Sequence, residues 1–328
     1  MKRREFLGVM GGAAAAWPVV AQAQQDGSMV RVGVIGSRRE GPAMSAAYAA
    51  FTDELRKLGF AEGRNLAIEY RRVEDGVSRA FAGVNELVAW KADVLFAYGP
   101  ELALQAATAA RPSLPIVFLA NNYDPIDRGY VRSLPQPGGN ATGIVARQLE
   151  LTAKQIELLL EAFPERKRLG VLWDVQSADQ FTAAEREAKM RQLELRAIRM
   201  ENPPYDFAAA FRAMAQDGVQ MLIVLSSPLF GLQRSEITKL AIEHRLPSIF
   251  ILKAYVEVGG LMSYGVDSVP MARRAASLIA KILRGAKPGD LPVEQAIHFE
   301  FVINLKTARA IGVALPMSIL LRADEVIE

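Results

Sequence analysis

Residues 30–71 read VRVGVIGSRREGPAMSAAYAAFTDELRKLGFAEGRNLAIEYR. The stretch opens on an apolar run, Val30 to Ile35, whose length suits a buried strand. Gly36 and Ser37 break it and begin the polar loop SRREGP. From about Pro42, the positions Met44, Ala47, Phe51, Leu55 and Leu58 recur every three or four residues, which is one face of a helix. Gly59 ends that helix, because glycine takes the left-handed C-terminal position without a steric cost. After the turn AEGRN, Leu66, Ile68 and Tyr70 share one face of a second strand. A strand, a helix and a strand in this order predict two parallel neighbours. Ligands of open α/β sheets bind beyond the carboxyl ends of the strands, and the loop Ser37–Pro42 lies there.

The alternation continues outward. Ser78–Lys91 is predicted helical, Val94–Tyr98 a strand, Glu101–Ala110 a helix and Pro115–Leu119 a strand, followed by the polar loop NNYDP. The rhythm then breaks at SLPQPGGNATG (133–143), which reads as a crossing to a second lobe. It restarts with a helix at Leu151–Phe163 and strands at Leu169–Trp173, Leu195–Met200, Met221–Leu225 and Ser248–Ile251, helices between them. Further strands are expected at Leu261–Tyr264 and Phe299–Ile303, with a helix at Pro270–Leu283. The fold class is α/β, with two doubly wound parallel-sheet lobes.

The chain has 328 residues, 51% hydrophobic and 23% charged, enough for two domains. Its first residues read as an export signal. Lys2-Arg3-Arg4 precedes the apolar stretch from Phe6 to Val20, and Ala21-Gln22-Ala23 has small residues where a signal peptidase cuts. Gly8, Gly11, Gly12 and Pro18 argue against a buried helix there. Arg3-Arg4-Glu5-Phe6-Leu7 resembles a twin-arginine motif, and the general secretory route is the alternative. Mature protein would begin at Gln24 in the periplasm. Without Lys2, Arg3, Arg4 and Glu5 the formal charge falls from +3 to about +1. That near-neutral balance, with no basic stripe between aromatics, gives nucleic-acid binding little support. With no cysteine, disulfides and thiolate chemistry are excluded.

Catalytic signatures are missing from the mature chain: no G-x-S-x-G, H-E-x-x-H, G-x-x-x-x-G-K-[ST] or G-x-G-x-x-G. The two histidines, His244 and His298, lie far apart and read as structural, so an imidazole-rich metal site is not expected. Neither a cofactor nor a metal is called for, and the chain is not expected to be an enzyme.

The strings LRKLGFAEGRNLAIEYR (55–71), PIVF (115–118), DP (124–125), SLPQPGGNATG (133–143) and GGLMSYG (259–265) together resemble the ABC-transporter substrate-binding protein family. The branch is the one with tryptophan- and tyrosine-binding members and the type I periplasmic-binding-protein fold, and the likeness spans about residues 30 to 328. It implies two lobes joined by a three-segment hinge, with crossings near 140, 260 and 297. After an export signal over 1–23, lobe 1 would hold 30–140 and 262–297, and lobe 2 would hold 141–261 and 298–328. Glu62-Gly63-Arg64-Asn65 precedes strand 2, at the wrong end of the sheet for ligand.

A site between facing lobes must come from loops that follow strands. Ser37 and the amides of Gly99–Glu101 suit a carboxylate. Asp174, Glu101 and Asp124 suit an ammonium. Tyr98, Tyr123, Trp173, Phe230 and Tyr264 suit apolar walls, and Asn121 and Ser227 lie in the same loops. Each has a plainer reading. Trp173 ends a core strand and can simply pack, Asp124 precedes Pro125 and can start a turn, and Asp174 can cap a helix. Glu101 is good capping chemistry, yet it would repel a ligand carboxylate. The expected function is an exported, monomeric receptor that captures a small molecule, such as an amino acid or aromatic metabolite, and delivers it to an ABC permease. The rival readings are a sensory module feeding a receptor and an enzyme on a doubly wound fold.

Overall fold

A computed structural model of the protein describes residues 29–36, 42–73, 76–110, 113–121 and 123–328. The expected leader and Ser37 lie outside the described residues. In chain order the strands are β1 (Val30–Gly36), β2 (Leu66–Arg72), β3 (Val94–Gly99), β4 (Ile116–Ala120), β5 (Ala141–Val145), β6 (Arg168–Trp173), β7 (Glu194–Arg199), β8 (Met221–Val224), β9 (Ser248–Phe250), β10 (Met262–Val266), β11 (Glu294–Gln295), β12 (Phe299–Asn304) and β13 (Glu325–Ile327). They form two sheets, one for each lobe.

The first sheet has the order β11-β5-β4-β3-β1-β2 and is parallel throughout. Its inner strands are near-continuous apolar runs because both faces are covered. Alternate residues point to opposite faces. Val32, Val34, Val94, Phe96, Val117 and Leu119 pack under the helices Pro42–Lys57 and Ser268–Leu283. Ile35, Leu95, Ala97, Ile116 and Phe118 pack under the helices Val77–Ala89 and Glu101–Ala110. Burying each of these larger side chains contributes about 1.5–3 kcal/mol. Exposed ion pairs contribute about 0–1 kcal/mol each, so the two apolar layers, not the surface Arg–Glu pairs, hold the lobe together.

The second sheet has the order β13-β12-β10-β9-β8-β6-β7. It is parallel except where β10 meets β12. One face buries Leu169, Val171, Met221, Ile223 and Phe301. The other buries Leu172, Leu222, Val224 and Phe250 against Phe207, Phe211 and Phe230.

Two expected crossings move. The segment 133–143 does not leave the first lobe at 140. It turns into β5, the neighbour of β4, and Ala141, Ile144 and Val145 are buried there. Gly143 permits this pairing, since a Cβ at that position would lie 2.1 Å from the Phe118 carbonyl oxygen. The chain instead crosses after Val145, where Arg147 adopts a left-handed conformation with φ 54°. Nor does 262–266 return to the first lobe. As β10 it lies in the second sheet, paired antiparallel with β12, and the chain leaves only at Asp267. The Asp267 carboxylate accepts a hydrogen bond from the Val269 backbone N–H (2.9 Å), capping the helix Ser268–Leu283, which belongs to the first lobe. The last passage runs from β11 of the first sheet to β12 of the second, between Gln295 and Phe299.

Candidate functional site

The cleft between the lobes opens at the carboxyl ends of β1, β3 and β4, where the parallel order of the first sheet places it. The space inside it that admits water-sized groups is about 100 Å³. The first lobe supplies an aromatic wall of Phe51, Phe96, Tyr98, Tyr48 and Tyr70. Phe51 and Phe96 stack at 5.3 Å between centroids with an angle of 11°, and Phe96 leans on Tyr98 at 6.0 Å. The Tyr70 hydroxyl donates to the Gly36 carbonyl (2.9 Å), tying β2 to the end of β1. Met271 and Ala272 of the helix Ser268–Leu283 complete this side. The facing surface comes from Gln148, Ser226, Ile251 and Leu252.

Gln148 is the unusual member. It is only 2% exposed, at the first position of the helix Gln148–Ala162, and neither its Nε2 nor its Oε1 has a hydrogen-bond partner among the described residues. The Asn121 Oδ1, just beyond β4, is likewise buried without a partner among the described residues. Such groups cost roughly 1–3 kcal/mol each when left unsatisfied. Their convergence on one apolar cleft marks where a ligand would hydrogen-bond. No Asp, Glu, Lys or Arg among the described residues lines this cleft.

Of the residues expected at a site, Tyr98 and Asn121 come to the cleft. Gly99, with φ 95°, turns the chain from β3 toward the helix Glu101–Ala110 and does not line it. The others have structural partners. Asp124 Oδ1 accepts from the Ile126 backbone N–H (2.7 Å), the turn-forming role. Trp173 shares strand parity with Leu169 and Val171, so its ring faces the helix Ala178–Met190 and stacks on Phe181 at 4.1 Å and 4°. Arg199 covers the same indole, 5.3 Å from its centroid. Phe230 is wholly buried, edge-on to Phe207 and Tyr205. Tyr264 lies near the second crossing, stacked on Phe299 and touching the cores of both lobes.

Asp174 is no open ammonium partner. It is fully buried and accepts hydrogen bonds from the Ser227 hydroxyl, the Tyr205 hydroxyl (3.2 Å), the Gln176 backbone N–H (3.0 Å) and the Ser177 hydroxyl (3.3 Å). Burial raises its pKa, and these donors pull it back. Burial, and after it the neighbouring Asp174 carboxylate, pushes the half-buried Tyr205 phenol up to about 12. Ser227 is therefore a partner of Asp174, and its neighbour Ser226 is the one that reaches the cleft.

Glu101 stands at a different place between the lobes. It accepts from the Tyr130 hydroxyl (3.1 Å) and pairs with Arg128 at 3.3 Å. Arg128 also reaches Asp179 of the second lobe at 2.7 Å, so a carboxylate–guanidinium–carboxylate bridge spans the two lobes. Gln148 is the position that residue patterning missed. The apolar period starts at Leu151, whereas the helix begins three residues earlier. Among the described residues no cluster of three His, Cys, Asp or Glu could hold a metal, and no helix is long and apolar enough to cross a membrane.

Two α/β lobes joined by three crossings around an apolar cleft define a solute-binding architecture rather than a catalytic one. The chain belongs to the ABC transporter substrate binding protein family, whose model matches residues 31–327. It is similar to a tyrosine-binding protein of Clostridioides difficile (strain R20291), 27% identical over 277 residues, covering 83% of this chain and 78% of that one. Two solved structures are each 26% identical. One is a conserved domain protein from Vibrio cholerae (TM-score 0.83, 91% of this chain and all of that one), and the other is an ABC domain from Streptococcus pneumoniae in complex with L-Trp (TM-score 0.82, 92% and all). The fold class is thus that of substrate-binding proteins, and the family's members are receptors, not enzymes.

Proposed function

We propose that this chain is exported to the periplasm and captures a small aromatic solute between its lobes for delivery to an ABC permease in the membrane. The observation that carries the reading is the cleft itself, built from both lobes, with an aromatic wall on one and unpartnered amide atoms converging on it. Contacts to both lobes at once favour the closed form, which is how a ligand shifts the open–closed equilibrium. Relatives named for tyrosine and solved with L-Trp support an aromatic ring in the cleft. Tyr98 and Asn121 would touch it directly. The bridge Glu101–Arg128–Asp179 would close the edge of the cleft without touching the solute.

The test is small-angle scattering of the mature protein with and without saturating solute from a screened panel, followed by mass spectrometry of the released solute. The expected result is a smaller radius of gyration and a solute recovered unchanged. A tightly bound solute with no compaction would refute closure, and a converted one would refute the receptor reading.

A further inference from the structure

We infer that Gln180 is a positioning residue of the cleft: its side-chain acceptor holds Ser226, and Ser226 contacts the solute from the second lobe. This rests on the receptor reading above and assigns residues to it without choosing among solutes. Pairing between β8 and β6 ends just before the site. The Leu225 backbone N–H still donates to the Leu172 carbonyl (3.0 Å), and Ser226 is the first residue past it. Ser226 lines the cleft beyond the carboxyl end of β8, the ligand side of a parallel sheet. Its backbone N–H donates to Gln180 Oε1 (3.1 Å), which comes from the helix Ala178–Met190.

The next residue is fastened in the same direction. Ser227 precedes the short helix Pro228–Leu232, where a serine ordinarily turns its hydroxyl onto the first N–H groups of its own helix. Here it makes no such cap and donates to Asp174 instead. Both serines are thus tied to the segment that follows β6. That segment is itself held at two points. Asp174 and Ser177 form a reciprocal capping box, and Phe181, next to Gln180, stacks on Trp173. Gln180 is 1% exposed, and a buried amide is tolerated for its hydrogen bonds rather than for its packing. A methionine would fill much the same space, but it would offer no oxygen to the Ser226 N–H. Fixing the loop before the solute arrives removes ordering that binding would otherwise have to supply.

The experiment is calorimetric titration of the mature protein, wild type and Gln180→Met, with L-tryptophan and with L-tyrosine. NMR-detected hydrogen exchange of the ligand-free proteins accompanies it. The variant should bind about fivefold more weakly, with a melting temperature close to that of the wild type. Its Ser226 amide should exchange about tenfold faster while the amides of β6 and β8 keep their rates. Gln180→Glu, which restores an acceptor, should recover affinity relative to Gln180→Met. Unchanged affinity in Gln180→Met overturns the inference and leaves the receptor reading standing. So does a loss of affinity in which Ser226 exchange is unaltered or Gln180→Glu recovers nothing. Should Gln180→Met not fold, Ser226→Ala carries the test. Loss of the hydroxyl should weaken binding about threefold, and unchanged affinity overturns the contact. If the wild type binds neither probe, the aromatic reading and the Ser226 contact fall together, and exchange at Ser226 still decides whether Gln180 holds the loop.

Discussion

Replacing Glu300 with glutamine should stabilise the protein at pH 8 and leave it unchanged below pH 4.5. Glu300 lies on β12, paired with Gly265 of β10, where the second and third passages between lobes run side by side. Burial raises its carboxyl to about 7, and the charge of Asp267 pushes the same way, as do those of Glu325 and Asp324. Lys253 opposes them, but its ammonium is already paired with Glu325. A folded-state pKa above the ordinary 4.5 means that the folded chain holds a proton that the unfolded chain has released. Stability from this group is therefore complete below 4.5, falls as pH rises, and is lost above about 7. A displacement of that size corresponds to at most about 3 kcal/mol. Glu300 is only partly buried, so screening by solvent reduces this to about 1 kcal/mol. Glutamine keeps the shape and stays uncharged. The gain at pH 8 should raise the melting temperature by about 2–4 °C, read by differential scanning calorimetry of both proteins at pH 4.5, 6 and 8. Equal melting temperatures at pH 8, or a gain independent of pH, would refute the electrostatic account.

Gly143→Ala should destabilise the first lobe by about 1–3 kcal/mol, because the new methyl meets a backbone carbonyl that cannot rotate away. Chemical denaturation measures it, and a loss below about 0.5 kcal/mol would mean that β5 shifts freely against β4. Arg128→Ala should loosen the bridge between Glu101 and Asp179 and expand the ligand-free protein at low salt. The pairs are roughly half exposed, so each contributes about 0–1 kcal/mol, and about 0.5 M salt should erase the difference. Scattering curves that coincide at low salt would show that the bridge does not bias the lobes.

The strands of the first sheet were legible because burial on both faces leaves an uninterrupted apolar run, as in IVFLA at β4. The crossings were not, because composition pointed elsewhere. The proline- and glycine-rich 133–143 looks like a linker, yet it is a turn inside one lobe. The real crossing bears an arginine in a left-handed conformation, which leaves no mark in composition. At the site, Tyr98 was found because it ends a central strand at the ligand side of the sheet. Trp173 occupies the matching place in β6, but the pleat turns it to the helix face with Leu169 and Val171. That parity was readable, although which face a helix would cover was not. Asp174 looked like a charge waiting for a ligand because its partners, Tyr205 and Ser227, arrive from other loops after folding. Seven of the seventeen lining residues, including Gln148 and Met271, come from helix surfaces and so lay outside any reading based on strand-end loops.

The first lobe is closed by a helix that follows β6 to β10, most of the second lobe. Ser268–Leu283 covers the same sheet face as Pro42–Lys57, and β11 adds the last strand at its edge. As the chain leaves the ribosome, its amino-terminal lobe therefore cannot finish folding before most of the second lobe has been made, unlike the usual domain-by-domain order of multidomain proteins. Until residue 295 has been made, Val34, Phe96 and Leu119 lack part of their cover, and a nascent or truncated chain ending before Ser268 presents that apolar face to any chaperone or neighbour that meets it.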